Sequence, residues 1–246
     1  KYDSLPELPQ MTENVRYDGS LKASVILKDL APFVPALSRF EEPLDLNLVF
    51  SGHGKHLDCP TLRLTNHHGL MIAGEAALSN WDAGMDMYIY GKLGNLTMTK
   101  EGINVLMTNL TGKVPPILQR LDYIRFNGEA AGYLHDLTLT GLFHTGAGMV
   151  KTDVMMSIDE QSMSRTYSGS VASADLDLGK LLNQEKKFGK VDFNVELKGF
   201  NYKNRYPESY IKGIISSFEY SQYQYENIML DGVYKDGGFN GRLSMD

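Results

Sequence analysis

The sequence predicts an all-β protein in which one long, twisted antiparallel sheet curls into an open, β-taco-like groove, with a few short helices. Apolar residues occupy every second position in about fifteen short runs, and a period of two is the period of a β-strand. Short turns containing Gly, Asn or Asp separate most of the runs, which favours an antiparallel meander. In several runs a glycine occupies the next position on the apolar side. Examples are LVFSG up to Gly52, VELKG up to Gly199 and IMLDG up to Gly232. Each such glycine predicts a gap or bend in that face.

Length and composition are those of a folded globular chain. Its 246 residues suffice for one large or two ordinary domains, and the 42% hydrophobic and 22% charged content argues against wholesale disorder. The net charge of −6 argues against nucleic acid and mildly against an anionic membrane surface as the main partner. A single cysteine, Cys59, excludes an intrachain disulfide framework.

Neither a spanning helix nor a signal peptide is visible in the sequence. No apolar run approaches the roughly 20 residues that a transmembrane helix needs. The chain opens at Lys1 without a methionine and stops directly after a strand-like run, which predicts that it is a piece of a longer protein.

The strand-like runs follow one another along most of the chain. Residues 1–20 are turn-rich and are predicted as a lead-in, and residues 21–246 as a single elongated antiparallel β-groove segment. No composition shift marks a second domain. Strands are predicted at 21–28, 44–51, 62–65, 70–78, 85–93, 95–99, 103–111, 123–132, 137–144, 149–158, 165–173, 191–199, 211–220, 227–234 and 239–246.

Turns and helices complete the pattern. Lys235-Asp236-Gly237-Gly238 predicts a tight hairpin turn, because glycine tolerates the positive φ that such turns require. Short helices are predicted at 31–40, 114–121 and 178–184, the first two with prolines near their starts. Residues 200–209 break the alternation and predict a longer loop.

The apolar positions decide what the sheet can do. A closed barrel, a sandwich and an open curved sheet would each manage the sheet edges, and three short helices are too few to cover the apolar face. In a sandwich the alternating apolar residues are buried core, whereas in a curled sheet they line a groove. The predicted groove-lining residues are those with the cleanest alternation, namely Leu44, Leu46, Leu48, Ile72, Met87, Ile89, Leu137, Leu139, Val154, Met156, Val195, Leu197, Ile228 and Leu230.

Residues with catalytic or metal-binding chemistry are sparse. His53, His56, His67 and His68 flank Cys59 but are predicted on turns at strand ends, without a recognised metal-ligand spacing. The sequence contains no Gly-x-Ser-x-Gly elbow and no phosphate-binding loop. Charged residues in mid-strand also argue against a lipid-facing outer-membrane barrel. We therefore predict no enzyme activity, no cofactor and no metal; a hydrolase would need a metal at the histidines.

Several motifs in order along the chain resemble one family. They are LKDLAPFVPAL at 27–37, Phe-Asn-Gly at 126–128 followed by His-Asp-Leu-Thr-Leu-Thr-Gly at 135–141, Tyr-Ser-Gly-Ser-Val at 167–171 with DLDLGKLL at 175–182, and the closing run from Tyr223 to Asp246. Together they resemble an internal portion of the TamB branch of the AsmA-like superfamily, the translocation and assembly module or bridge-like lipid transport proteins.

The resemblance implies a groove that carries phospholipid acyl chains across the periplasm, in a parent protein anchored in the inner membrane. It further implies roles in phospholipid transport to the outer membrane and in outer-membrane biogenesis. An outer-membrane barrel assembly protein is then a possible partner through parts of the parent chain not present here. The alternative hypothesis is a scaffold or adhesin-like β-module that binds protein partners through a sheet edge.

Overall fold

A computed structural model of the chain describes residues 15–30, 38–159, 161–162, 164–201 and 208–245. Fourteen strands form one antiparallel sheet, which is not closed into a barrel. The strands are β1 (Arg16–Ile26), β2 (Pro43–His53), β3 (His56–Thr65), β4 (Leu70–Ser79), β5 (Tyr88–Thr99), β6 (Tyr123–Tyr133), β7 (Asp136–Thr145), β8 (Gly148–Ile158), β9 (Arg165–Ala174), β10 (Leu176–Asp177), β11 (Phe188–Asn201), β12 (Glu208–Tyr220), β13 (Tyr223–Lys235) and β14 (Gly238–Ser244). The predicted all-β fold, an open curled sheet with few helices, is confirmed.

The strand order follows the chain order. Thirteen strands pair in sequence from β1 to β14, and the two-residue β10 pairs only with β11. The closing hairpin has the predicted turn, in which Lys235 pairs with Gly238 while Asp236 (φ 52°) and Gly237 (φ 80°) take left-handed conformations. Such a meander needs no crossover helices, which explains why the turns are short.

The three α-helices within the described ranges lie along the same edge of the sheet. They are α1 (Lys100–Thr111) and α2 (Pro116–Gln119), between β5 and β6, and α3 (Leu178–Leu182), between β10 and β11. We call this edge the helical rim, and the opposite edge, formed by the β2–β3, β4–β5, β6–β7, β8–β9, β11–β12 and β13–β14 connections, the turn rim. At the helical rim, the buried residues Ala147, Leu176, Leu181 and Val191 form a small core around α3.

The prediction of a strand at 103–111 was wrong, because this segment is α1. The Thr99 side chain accepts a hydrogen bond from the Gly102 N–H at the start of the helix, and Gly112 ends it with φ 77°. Burial of Ile103, which is 1% exposed, anchors the helix. Two effective caps therefore outweigh the alternating apolar residues in this stretch.

Other differences concern element bounds. β1 begins at Arg16, inside the predicted lead-in. Residues 88–93 of the run 85–93 join the run 95–99 in a single strand, β5, while residues 85–87 lie in and after the 3-10 turn Gly84–Asp86. The helix predicted at 114–121 is the shorter α2, that at 178–184 is α3, and 38–40 is not helical. Residues 31–37 of the first predicted helix and 202–207 of the predicted loop lie outside the described residues.

Register places the apolar positions of the strands on one face, which we call the inner face; the opposite one is the outer face. A central row on the inner face consists of directly paired residues from β1 to β14. Its members are Leu21, Leu48, Leu62, Gly74, Leu93, Gly128, Gly141, Thr152, Val171, Val195, Gly213, Leu230 and Leu243. The row contains no charged residue.

Glycines and bulges allow the sheet to curl. A Cβ added to Gly199 would lie 2.6 Å from the Tyr167 ring, and one added to Gly232 would lie 2.7 Å from the Phe239 ring. An aromatic ring on one strand thus rests on a glycine of the next strand, and any larger residue would collide with it. Register shifts between β2 and β3, β3 and β4, β4 and β5, β5 and β6, and β11 and β12 add local bends.

Candidate hydrophobic groove

The sequence-predicted lining residues lie together. Thirteen of the fourteen lie in strands and on the inner face, while Met87 follows the 3-10 turn Gly84–Asp86 directly before β5. The inner-face residues are Leu44, Leu46 and Leu48 in β2, Ile72 in β4, Ile89 in β5, Leu137 and Leu139 in β7, Val154 and Met156 in β8, Val195 and Leu197 in β11, and Ile228 and Leu230 in β13. Cross-strand pairs such as Leu137–Met156 and Leu139–Val154 join them into one surface.

Most of this surface is only half-buried. Of the predicted lining residues, Leu44 and Val195 are buried, Met156 is exposed and the others are intermediate. All described strands belong to one sheet, so there is no separate second sheet to seal the inner face in that part of the chain. Apolar residues that are neither exposed nor packed in a closed core form an open concave surface.

The groove has a floor of small residues where it crosses β3 to β6. Cys59, Ala76, Gly91 and Ala130 pair in register across these strands on the inner face. A Cβ added to Gly91 would meet no atom within 4 Å, so the space above it is open. Burial raises the pKa of the Cys59 thiol, which therefore stays neutral and adds no charge to the floor.

The walls contain residues that the sequence alternation did not single out. Ile124 and Phe126 in β6 are buried towards the helical rim, and the Phe126 ring lies 4.5 Å from that of Phe143. The sequence alternation does not indicate how deeply a single Phe is buried in a groove. Only the pairing of β6 with β5 and β7 reveals it.

At the far end of the groove the lining becomes aromatic. Phe188, Phe218 and Tyr220 lie with ring centroids 5.4–6.2 Å apart, and Tyr225 lies 6.5 Å from Phe218. These rings line the inner face of β11 to β13 near the helical rim. Tyr220 and Tyr225 thus contribute to the packing of the sheet.

The outer face has a polar and charged row beside exposed apolar side chains such as Met155, Ile214 and Met229. A row of directly paired residues crosses ten strands, and each acidic residue in it faces a base or a hydroxyl group. The row is Glu75, Lys92, Glu129, Thr140, Asp153, Ser170, Glu196, Lys212, Asp231 and Arg242. A shallow depression of about 960 Å³ on this face is lined by charges of both signs, including Glu75, Lys92, Glu129 and Lys151.

The histidines lie on or beside turns, as predicted. His53 and His56 flank the β2–β3 turn, while His67 and His68 lie between β3 and β4. No group of three His, Cys, Asp or Glu side chains in the described ranges could hold a metal ion.

One histidine makes contacts that the sequence did not suggest. His56 Nδ1 lies 2.7 Å from Ser79 Oγ, and its Nε2 lies 2.9 Å from Asp58 Oδ2. The Ser79–His56–Asp58 arrangement resembles a nucleophilic triad. However, the Asn80 N–H next to Ser79 donates to the Lys55 carbonyl, so it cannot stabilise an oxyanion. Both the His56 and Asp58 side chains are about half-exposed, which favours a solvated cross-strand contact.

No protein family, curated protein or solved structure matches this chain. Among the described residues, no helix has both the length and the apolar character needed to cross a bilayer.

Proposed function

We propose that the chain is a lipid-conducting module whose inner face binds phospholipid acyl chains. In this proposal it is a segment of an inner-membrane-anchored protein that crosses the periplasm and supplies lipid for outer-membrane biogenesis. The observation that carries the proposal is the uncharged central row, which runs from Leu21 to Leu243 on a face that no second sheet of the described residues covers. The resemblance to the TamB branch supplies the cellular setting.

The physical basis is transfer of acyl chains out of water. Each methylene buried against the inner face contributes about 0.8 kcal/mol, so even a partly buried acyl chain is held against exchange into water. The thirteen strands of the ladder, at roughly 4.8 Å spacing, give a path of about 58 Å. Because the row has no charged residue, it offers no deep polar minimum at which a headgroup would stop. Lipids can therefore slide, and the proposed function needs no catalytic residue.

The floor glycine Gly91 offers a direct test. A tryptophan there would project into open space and block the groove without colliding with the protein. The matched control is Gly94→Trp, because Gly94 lies in the bulge of the same strand, also has no atom within 4 Å of an added Cβ, and borders the outer-face depression.

Native mass spectrometry of the three proteins, purified from a diderm bacterium, provides the measurement. We expect phospholipid to co-purify with the wild-type chain and with Gly94→Trp, and its occupancy to fall severalfold in Gly91→Trp. Photocrosslinkers at Met87 and Leu139 should capture lipid in the wild type. Absence of phospholipid from the folded wild type, or equal occupancy in both tryptophan variants, would refute the proposal.

A further inference from the structure

A trench crosses the inner face from β3 to β6, along the row of small residues that forms the groove floor. Cys59, Ala76, Gly91 and Ala130 follow one another in this row without a large side chain. Ala76, Gly91 and Ala130 are all partly exposed, and a Cβ added to Gly91 would meet no atom within 4 Å. The floor is therefore open, and it extends over four adjacent strands.

Larger side chains stand along both sides of this floor. On the turn-rim side, Leu57 pairs with Leu78 and Leu78 with Ile89 in the next row. On the helical-rim side, the central row contributes Leu62 from β3 and Leu93 from β5. All five side chains are half-buried, so they form two apolar walls of the trench.

Bulky residues close the trench at both ends. At the near end, Phe50 lies at the register shift between β2 and β3, and its ring covers Gly19 of β1. At the far end, Leu139 on β7 pairs with Ala130, and Val154 on β8 pairs with Leu139. The open floor thus has a defined beginning and a defined end within the groove.

The open floor at Gly91 differs from other glycine positions on the inner face. Six inner-face glycines lie under aromatic rings, and a Cβ added to any of them would lie 2.3–2.9 Å from the nearest ring atom. These glycines are Gly19, Gly52, Gly128, Gly141, Gly199 and Gly232. No ring of the described residues covers Gly91, so the trench is a gap that the protein itself does not fill.

We propose that this trench seats one acyl chain of a phospholipid, extended along the row and across the strands, and that it favours chains of palmitoyl length. The inference rests on the proposed function and specifies its substrate. A floor of four strands at roughly 4.8 Å spacing is about 19 Å long. Carbon–carbon bonds of about 1.5 Å advance an extended chain by about 1.3 Å per methylene, so the trench holds about 15 methylenes.

The lining suits an uncharged hydrocarbon chain. None of the floor and wall residues is charged, and the raised pKa of Cys59 keeps its thiol neutral. Each methylene that leaves water for the trench should strengthen binding by up to about fourfold. Methylenes beyond the far end meet Leu139 and turn away from the floor, so they contribute less. A headgroup finds no charged partner in the trench, so the lipid can still move on.

Two substitutions change the length of the trench in opposite directions. Ala130→Leu fills the last floor position and shortens the trench by one strand, or about four methylenes. Leu139→Ala moves the far end to Val154 and lengthens it by a similar amount. The matched controls are Ala131→Leu, on the outer face beside Ala130, and Leu197→Ala, on β11 in the same row but outside the trench.

Native mass spectrometry of each delipidated protein, with an equimolar mixture of lysophosphatidylcholines at submicellar concentration, provides the measurement. The acyl chains range from decanoyl to stearoyl. Wild-type occupancy should rise steeply up to palmitoyl and change by less than about twofold from palmitoyl to stearoyl, where two further buried methylenes would give about 15-fold. The levelling should come near lauroyl in Ala130→Leu and not before stearoyl in Leu139→Ala, while both controls follow the wild type.

The outcomes separate this inference from the function on which it rests. A wild-type occupancy that keeps rising by the same factor up to stearoyl, or a levelling point that neither trench variant moves, would overturn the trench proposal and leave lipid binding in place. Failure of the folded wild type to bind any of the lysophospholipids would refute the proposed function and the trench together. Circular dichroism confirms folding, and if one trench variant does not fold, the shift in the other decides.

Discussion

The inner and outer faces share one backbone ladder, yet their side chains determine different properties of the protein. On the inner face, glycines receive rings and backbone atoms from the neighbouring strand, so side-chain size there sets how tightly the sheet can curl. On the outer face, one row alternates acids with bases or hydroxyls over ten strands. Curvature thus depends on the inner face, while the outer charges disfavour shifted registers.

The inner face is far less tolerant of change than the outer face because its contacts are steric. Overlap with a neighbouring strand cannot be relieved by solvent. Charged pairs on the outer face are solvated and individually weak, as for Lys92 and Glu75, whose charged atoms lie 4.0 Å apart. The two faces should therefore respond to substitution on different energy scales.

The largest effect is expected from adding one methyl group to an inner-face glycine. A Cβ at Gly128 would lie 2.6 Å from both the Gly141 Cα and the Phe126 ring, so Gly128→Ala should lower the free energy of unfolding by about 2–4 kcal/mol. The same change at Gly94, beside the outer-face depression, meets no atom and should alter it by less than about 0.5 kcal/mol. Urea unfolding curves measure both values. Equal losses in the two variants would contradict the steric role of the inner face.

A smaller effect is expected from reversing one charge in the outer row. Lys212 faces Glu196 on one side and Asp231 on the other, so Lys212→Glu places three acids side by side. Lys212→Glu should lower the free energy of unfolding by roughly 1 kcal/mol at low salt. Lys212→Gln should lower it by about half as much, because a neutral side chain adds no repulsion.

Salt dependence separates this electrostatic loss from a packing loss. At 1 M NaCl, where the screening length is about 3 Å, the difference between Lys212→Glu and Lys212→Gln should largely disappear. A difference that is unchanged by salt would mean that the row does not act through charge. The reduction in the free energy of unfolding caused by Gly128→Ala should be unchanged across the same salt series.

The same contrast explains what the sequence could predict. Alternation located the strands containing Leu46, Leu137 and Val154, because a period of two assigns each residue to a face without knowledge of its neighbours. In β3 it located only residues 62–65 and missed 56–61, because a bulge between Cys59 and Leu62 moves the apolar positions from odd to even numbers. A bulge requires a partner strand to define it, so periodicity along one strand cannot show it.

Contacts between strands were likewise beyond prediction from the sequence. His56 and Ser79 are 23 positions apart and meet only because β3 and β4 pair in this register. The open space above Gly91 also depends on atoms of other strands, and nothing in YIYG distinguishes that glycine from the packed Gly74 or Gly128. The sequence could therefore predict the apolar face, but not its depth at each position.

The smallest expected effect concerns a histidine at the helical rim. His68 Nδ1 lies 2.7 Å from Glu101 Oε1 at the start of α1, and its Nε2 lies 3.4 Å from Glu42 Oε2 before β2. The hydrogen bond with Glu101, together with the weaker one with Glu42, raises the pKa of His68 above its ordinary value. The imidazolium therefore links two segments that border the groove.

Because the pKa of His68 is higher in the folded than in the unfolded state, protonation of His68 stabilises the folded protein. This stabilisation is complete below the unfolded pKa of about 6.5 and is lost as the pH rises through the folded pKa. His68→Gln should therefore lower the urea midpoint relative to wild type at pH 5.5 and have a smaller effect at pH 8.5. His67→Gln is the control, because His67 has no carboxylate within ion-pair distance in the described part of the chain. If His68→Gln lowered the urea midpoint equally at both pH values, the positive charge of His68 would not stabilise the contact between α1 and the helical rim.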